Sequence, residues 1–231
     1  MKILVSWSSG KDSAWMLHVL RASHPGAIAG LLTTTNSAFN RVAMHGVRRE
    51  VLEAQAHAAG LPLRVVPLPW PCGNDDYERI MRETNAAVLA EGYTHVAFGD
   101  LFLEDVRQYR VDRLAGTGLT PLFPLWKTTD TRALAERMID AGLRARLSTV
   151  DPRVLDPSFA GRTFDRALLD ELPASVDPCG ERGEFHSCVY DGPMFSAPLP
   201  LVTGEIVTRD GFVFADLGLD LGLGSDPLRN P

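Results

Sequence analysis

The stretch Ile3–Leu17, ILVSWSSGKDSAWML, decides the fold of this 231-residue chain. It begins with an apolar run, breaks into a segment of small and charged residues, and then resumes with apolar residues at helical spacing. A short apolar run followed by a turn and a helix start is typical of a buried strand that leads directly into a helix. The stretch therefore predicts a strand–turn–helix unit.

The turn of this unit, Ser8–Ser13, has the composition of an anion site. Backbone N–H groups at a helix start and the positive end of the helix dipole attract a phosphate. The serines add hydroxyl groups, the glycine lets a ligand approach the backbone closely, and Lys11 adds a positive charge. Serines that merely cap the helix are the ordinary alternative. The position directly after a first strand favours phosphate.

Composition narrows the class of protein. The chain is 45% hydrophobic and 23% charged, as is usual for a globular protein, and its net charge of −6 argues against a broad nucleic-acid-binding surface. Its three cysteines show no CxxC spacing, so neither a disulfide framework nor a zinc site is expected. We see no signal-peptide layout and no run of roughly 18 apolar residues that would span a membrane. The expected location is the cytoplasm.

Strand-like and helix-like patterns alternate through the first half of the chain. Further strands are predicted at 27–35, 63–68 and 94–98, and helices at 12–22, 47–59 and 75–91. Such alternation indicates an α/β fold with a Rossmann-like parallel sheet. Right-handed crossovers would place the first strand centrally and the ligand crevice at the carboxyl ends of the strands. Ser8–Ser13, Thr33–Asn36 and Gly99–Asp100 all fall at such ends.

The pattern becomes less regular after Leu101. We predict helices at 104–114, 131–141 and 164–172, an apolar loop at 121–126, a fifth strand at 145–150, a β-hairpin made of 201–208 and 212–216, and a frayed tail at 222–231. A loose boundary near residue 130 divides the chain into a nucleotide-binding domain, 1–130, and a smaller carboxyl-terminal α+β region, 131–231.

Two polar stretches carry candidate chemistry. Gly99–Arg107 places three carboxylates after a strand, where they could hold Mg²⁺ and phosphate. Glu104 and Asp105 are equally well explained by the start of a helix, so Asp100 is the better candidate.

The second stretch, Asp177–Ser187, interleaves glycines with two glutamates, a cysteine and a histidine. A solvated loop is the ordinary explanation. Cys179 and His186 could form a thiol nucleophile with its base, but nothing in the sequence indicates that they meet.

The loop WSSGKDS resembles the Ser-Gly-Gly-Lys-Asp-Ser loop of the PP-loop ATP pyrophosphatase superfamily. Ser9 replaces the first glycine of that loop, so we expect Ser9 to have an ordinary negative φ.

A longer set of motifs is similar to the diphthine–ammonia ligase family, which has the adenine nucleotide α-hydrolase-like fold. The resemblance spans about residues 2–217 and rests on SSGKDS, RVAMHGV at 41–47, GD at 99–100, PLFPLW at 121–126 and GERGEFHSCVYDGP at 180–193. It implies binding of ATP with Mg²⁺, cleavage to AMP and pyrophosphate, and adenylation of a carboxyl group that ammonia then attacks.

The resemblance also implies roles for individual residues. Nucleotide-binding positions are Ser8, Ser9, Gly10, Lys11, Asp12, Ser13, Thr33, Thr34, Met44, His45, Gly46, Gly99 and Asp100. Catalytic positions are Lys11, Asp100, Glu181 and Glu184, with both glutamates on the acceptor side of the crevice; no residue is assigned as a dedicated metal ligand. A packed core histidine and methionine explain His45 and Met44 equally well.

Two departures leave the acceptor open. Family members acting on diphthine typically carry Ser, Tyr and Gln where this chain has Leu103-Glu104-Asp105, and Glu-Thr where it has His186-Ser187. The chain looks like a bacterial-type member, and bacteria lack diphthamide, so we expect ATP and ammonia as partners and an unidentified carboxylate as acceptor. A homodimer stays open. Two alternatives remain: a nucleotide-binding sensor of the universal-stress type and a PP-loop tRNA-modifying enzyme.

Overall fold

Two β-sheets organise the part of the chain that the computed structural model describes, residues 1–220. The predicted frayed tail at 222–231 lies outside these residues. The amino-terminal elements are β1 (Ile3–Ser6), α1 (Lys11–Ser23), β2 (Ile28–Asn36), β3 (Arg41–Val42), α2 (Arg49–Ala58), β4 (Leu63–Leu68), α3 (Asn74–Ala90), β5 (His95–Ala97), α4 (Glu104–Leu114) and β6 (Thr120–Leu122). The carboxyl-terminal elements are α5 (Thr131–Asp140), β7 (Arg144–Val150), a 3₁₀ helix (Pro157–Phe159), α6 (Arg166–Glu171), β8 (Phe185–Asp191), β9 (Leu201–Arg209) and β10 (Phe212–Leu219).

The first sheet has six strands in the order β3-β2-β1-β5-β6, with β4 paired to β2. All of its pairings are parallel except that of the short β3 with the end of β2. The apolar residues Ile3, Leu4 and Val5 of β1 are all buried, because helices and the second sheet cover both faces. The predicted Rossmann-like sheet with a central first strand is therefore confirmed.

The second sheet is antiparallel, with four strands in the order β8-β7-β10-β9. The predicted hairpin at 201–216 is confirmed as β9 and β10, which turn at Asp210 and Gly211, both with positive φ. The two sheets share one large core in which residues of α1, such as Leu17, lie in the same cluster as Leu147 and Val189 of the second sheet.

One loop prediction is wrong in detail. The segment predicted as an apolar loop at 121–126 begins inside β6, an edge strand of the parallel sheet, where a proline costs no ladder hydrogen bond on its open side. The strand predicted at 145–150 is confirmed as β7, which lies in the second sheet. The domain boundary near residue 130 stays a prediction.

Two further sequence expectations can be compared with the described residues. The three cysteines are free, as predicted. No helix within residues 1–220 is long and apolar enough to cross a membrane.

Candidate functional site

The turn between β1 and α1 contains a strained residue. Ser9 has φ +70°, so the expectation of a negative φ is wrong. The chain must reverse sharply from the end of β1 into α1, and this position needs the left-handed conformation that a glycine adopts without steric cost. The Ser9 side chain is buried, and its Oγ has no hydrogen-bond partner within residues 1–220.

The other serines of the turn close it on itself. The Ser13 hydroxyl donates to the carbonyl oxygen of Gly10 (2.9 Å) and accepts from the backbone N–H of Ser8 (3.3 Å). Gly10 is the residue that precedes α1, and no side chain of the turn caps the helix from that position. The ordinary explanation of serines as helix caps therefore does not account for the turn, which keeps its place as a candidate phosphate loop.

Lys11 is buried in the protein, with only 2% of its surface exposed. Its ammonium group donates to Asp12 Oδ2 (2.8 Å) and to the carbonyl oxygen of Cys179. Burial is the largest single effect and works to lower the pKa of Lys11, but the charge of Asp12, its hydrogen bond and the other acidic groups nearby together outweigh it, so the pKa is raised. Lys11 is thus a fixed positive charge at the base of the loop.

The segment 179–189 lies directly against the phosphate loop. The backbone N–H of Lys11 donates to the Ser187 hydroxyl (3.1 Å), and the N–H of Val189 donates to the carbonyl oxygen of Ser9 (3.0 Å). Residues separated by more than 170 positions in the sequence therefore form one site. The expectation that this segment faces the loop from the carboxyl-terminal region agrees with the geometry.

Two carboxylates near the loop keep unpaired oxygens. Asp12 Oδ1 and Asp100 Oδ2 are buried and have no hydrogen-bond partner within residues 1–220. Burial raises the pKa of Asp100 although Arg110, 4.0 Å away, works to lower it, and burial likewise raises the pKa of Asp12. Gly99 permits this approach, because a Cβ on it would lie 3.2–3.3 Å from the backbone of Asp12 and Ser13.

Glu181 joins this cluster from the carboxyl-terminal region. Its Oε1 accepts from the backbone N–H of Leu101 (2.7 Å), just after Asp100. Burial, together with the charge of Asp12, raises the pKa of Glu181 to about 7, against the opposing effect of the hydrogen bond from Leu101. A carboxyl group of this kind can exchange a proton near neutral pH.

Glu184 does not share this arrangement. Its Oε1 accepts from the N–H of Asp177 and its Oε2 from the N–H of Arg182, both at 2.9 Å. It lines a separate small cavity beside Asp151 and Arg153. Both oxygens of the carboxylate thus hold the 177–184 loop together, and Glu181 is the glutamate that the structure brings to the phosphate loop.

Two further acidic residues that follow Asp100 have ordinary structural roles. Glu104 pairs with Lys127, and Asp105 lies exposed in the first turn of α4, so the helix-start explanation fits both.

The buried thiol of Cys179 has a strongly raised pKa and donates to the carbonyl oxygen of Thr131 (3.3 Å). A protonated thiol bonded to a carbonyl is a poor nucleophile, so the thiol alternative is not supported.

A cavity of about 1280 Å³ opens beside the loop at the carboxyl ends of β1, β2 and β4. It is lined by several predicted nucleotide-binding residues: Ser8, Thr33, Thr34, Met44, His45 and Gly46. The other predicted site residues do not line this cavity: Ser9, Gly10, Lys11, Asp12, Ser13, Gly99, Asp100, Glu181 and Glu184. A pocket for one drug-sized ligand is about 300–1000 Å³, so this cavity has room for a nucleotide and a second small reactant.

Three of the predicted nucleotide-binding residues in the cavity wall are held in different ways. The Thr33 hydroxyl is used internally, because it donates to the carbonyl oxygen of Trp7 (2.7 Å). Met44 is 70% exposed with φ +64°, so it is not the packed core methionine of the ordinary explanation. His45 is held by its Nδ1–H, which donates to the carbonyl oxygen of Ser187 (3.2 Å).

Sequence reasoning did not predict the contact between His186 and His45. The two rings have centroids 4.5 Å apart and are tilted by 31° to one another, and His186 also lines the cavity. Burial and the nearby Lys11 lower the pKa of His186 to about 4, and burial keeps that of His45 well below its usual value, so both rings are neutral at pH 7. The motif at 180–193 drew attention to this segment, but nothing in the sequence predicted the contact between the two rings.

Comparisons with known proteins agree with the motifs. Residues 130–216 match the profile of the diphthamide synthase C-terminal domain. The diphthine–ammonia ligase of Bos taurus is 27% identical over 93% of this chain and 88% of its own length. That of Danio rerio is 28% identical over 94% of this chain and 93% of its own length.

One solved structure matches more loosely. It is a predicted subunit of a tRNA methyltransferase from Methanocaldococcus jannaschii, 14% identical, with a TM-score of 0.45 over 84% of this chain and 98% of that one.

Proposed function

We propose that this chain is a member of the diphthine–ammonia ligase family, an ATP-dependent ligase that cleaves ATP to AMP and pyrophosphate and activates a carboxyl group for amidation by ammonia. The observation that carries the proposal is the junction of the phosphate loop with the 179–189 segment, through Lys11 and Ser187. Lys11, Asp12 and Glu181 come together at this junction, close in sequence to Ser8, which lines the large cavity.

The loop and the cavity support ATP as the nucleotide. The start of α1 presents the N–H groups of Asp12 and Ser13 together with the positive end of the helix. Lys11 supplies a positive charge that can stabilise the pyrophosphate as its charge develops. The cavity wall at Thr34 and Met44–Gly46 then accommodates the nucleoside.

The unpaired oxygens of Asp12 and Asp100 fit Mg²⁺. This ion prefers oxygen ligands and commonly uses one or two carboxylates together with substrate phosphates. Residues 1–220 contain no group of three or more His, Cys, Asp or Glu side chains that could hold a metal ion. When bound there, Mg²⁺ would neutralise phosphate charge.

Glu181 is the residue we assign to the amine. Its Oε1 is held by the N–H of Leu101, while its Oε2 makes no hydrogen bond within residues 1–220. A carboxyl group with a pKa of about 7 can take a proton at Oε2 from the attacking ammonia nitrogen.

Product analysis tests this proposal. The protein is incubated with ATP labelled at the α-phosphate, MgCl₂ and ammonium chloride, together with diphthine or with fractions of small carboxylic acids. We expect labelled AMP that depends on both ammonium and one carboxylate. Labelled ADP would contradict the proposal, and bound but uncleaved ATP with every carboxylate would favour a nucleotide-binding sensor.

A further inference from the structure

Asp216 of β10 forms a compact ion cluster with two arginines of the amino-terminal part. Its Oδ1 accepts from Arg41 Nη2 and from Arg48 Nε, both at 2.9 Å, and its Oδ2 accepts from Arg48 Nη2. These hydrogen bonds lower the pKa of Asp216 to about 2, so the carboxylate is charged at neutral pH. The cluster joins the second sheet to the segment that follows β2.

Arg41 links Asp216 to the cavity wall through two hydrogen bonds. While its Nη2 donates to Asp216, its Nη1 donates to the carbonyl oxygen of Gly46 (2.9 Å). A planar guanidinium presents N–H groups to both acceptors at once in a fixed geometry. The orientation of the Gly46 peptide therefore depends on a residue 170 positions later in the chain.

Other residues of the second sheet hold the same wall. The Thr149 hydroxyl donates to the carbonyl oxygen of His45 (3.2 Å), and the ring of Phe214 packs on Gly46, where an added Cβ would lie 2.8 Å away. Met44 and Gly46 both have positive φ, a conformation that persists where the surrounding structure holds it. The turn has its own backbone hydrogen bonds, such as that from the N–H of Gly46 to the carbonyl oxygen of Val42 (3.0 Å), and the contacts from Thr149 and Phe214 add to them. The wall at Met44–Gly46 is thus supported in part from the carboxyl-terminal sheet.

We propose that Asp216 is a positioning residue for the nucleotide: through Arg41 it fixes the Met44–Gly46 wall, so that the carboxyl-terminal hairpin sets the affinity of the cavity for ATP. This inference rests on the proposed function, because it assumes that the nucleoside part of ATP occupies the cavity beside this wall. It assigns to β10 a task in the amino-terminal nucleotide site.

Calorimetric titration with ATP and MgCl₂ tests the proposal. We expect Asp216→Asn to bind ATP about tenfold more weakly, since a charge-assisted hydrogen bond in the support of the wall is lost. Asp216→Glu, which can still accept from Arg41, should recover most of the affinity. Glu171→Gln is the matched control, because it breaks a comparable carboxylate–arginine pair, with Arg162, away from the cavity.

A double-mutant cycle separates positioning from direct contact. If Asp216 acts through Arg41, then Asp216→Asn combined with Arg41→Gln should bind ATP no more weakly than the weaker single variant. Additive losses would show that Asp216 acts independently of Arg41, and would overturn the proposal. Should urea denaturation show that Asp216→Asn does not fold, Arg41→Met replaces it, because methionine keeps an unbranched stem and donates to neither Asp216 nor Gly46.

The remaining outcomes are also decisive. Unchanged ATP affinity in Asp216→Asn, with a wild-type protein that binds ATP, would overturn this inference and leave the proposed function standing. An equal loss in Glu171→Gln would show a general effect on stability and would likewise overturn it. A wild-type protein that does not bind ATP would overturn the proposed function itself.

Discussion

Ser9 is the residue of the phosphate loop whose side chain suits its backbone least. Its φ of +70° is one that glycine adopts freely, and its buried hydroxyl makes no hydrogen bond within residues 1–220. The superfamily loop that this stretch resembles has glycine here. Because the turn must reverse from β1 into α1 within a few residues, the backbone adopts the left-handed conformation here even though the residue is a serine.

We therefore expect Ser9→Gly to stabilise the protein. Relief of left-handed strain is worth about 1–2 kcal/mol, and the greater freedom of glycine in the unfolded chain takes back about 0.5–1 kcal/mol. Urea denaturation should show a slightly larger free energy of unfolding. Ser9→Ala removes the same hydroxyl but keeps the strain, so an equal gain in Ser9→Ala would contradict this account.

Lys11 is expected to act on the transition state. Lys11→Met keeps much of the buried stem and removes the charge that would face the departing pyrophosphate. Loss of one such contact typically lowers turnover about 100- to 1000-fold. AMP formation should fall by that order, whereas Lys127→Met, at a lysine paired with Glu104 on the surface, should leave it unchanged. Full AMP formation by Lys11→Met would remove Lys11 from the mechanism.

Glu181 should give the reaction its pH dependence. A base with a pKa of about 7 gains activity as pH rises through that value and levels off above it. The pH profile of AMP formation, measured at a constant concentration of free ammonia, should show this rising limb, and Glu181→Gln should lose it together with most of the amide product. A profile that stays the same in Glu181→Gln would contradict the assignment.

The same pKa has a consequence for stability. Between its ordinary value of 4.5 and about 7, the folded protein holds a proton on Glu181 that the unfolded chain has released. This group therefore makes the free energy of unfolding decline as pH rises through that window, and the loss is complete above it. Glu181→Gln should show less of this decline in urea titrations at a series of pH values.

At the scale of elements, α1 is capped by a residue from the other end of the chain. Its first N–H group, that of Lys11, donates to Ser187 and not to a neighbour in sequence. Loss of a helix cap typically costs about 0.5–2 kcal/mol. Ser187→Ala should lower the free energy of unfolding by that amount and weaken ATP binding, because the loop loses an anchor.

Ser148 provides the matched control for this prediction. It is as buried as Ser187, but its hydroxyl has no hydrogen-bond partner within residues 1–220. Ser148→Ala should therefore be neutral or slightly stabilising, since an unsatisfied buried hydroxyl is removed. Equal losses in both variants would show that the Ser187 hydroxyl contributes no cap.

Local patterns were enough to predict elements with clear signals. Continuous apolar runs identified β1, β2 and β4, and helical spacing identified α1 and α3. The short β6 escaped because Pro121 and Pro124 suggest a loop, although a proline is tolerated in an edge strand.

The site was harder to predict than the elements. The prediction that the carboxyl ends of the parallel strands meet at one edge of the sheet correctly placed the loop, Thr33 and Asp100 at that edge. The contacts from Glu181, Ser187 and Asp216 depend on pairing between distant segments, which no local pattern encodes. Glu184 shows the converse, since its charge looked functional but its oxygens serve two backbone N–H groups.

At the scale of the whole molecule, the carboxyl-terminal region completes the proposed nucleotide site of the first sheet. Four of its side chains make the contacts: Ser187 on the candidate phosphate loop, Glu181 on the N–H of Leu101, Thr149 on the Met44–Gly46 wall, and Asp216 on the same wall through Arg41. The large core that the two sheets share holds these contacts in place. Binding of ATP and use of the acceptor should consequently respond to changes in either part.

The central claim is that a carboxyl group attacks the α-phosphate of ATP beside this junction. The carboxylate that drives AMP formation is labelled with ¹⁸O and turned over with ATP and ammonium, and the AMP is weighed by mass spectrometry. We predict that each AMP carries one ¹⁸O, because the adenylated carboxyl leaves one oxygen on phosphorus when ammonia displaces it. Unlabelled AMP, or ¹⁸O found in inorganic phosphate, would contradict carboxyl adenylation.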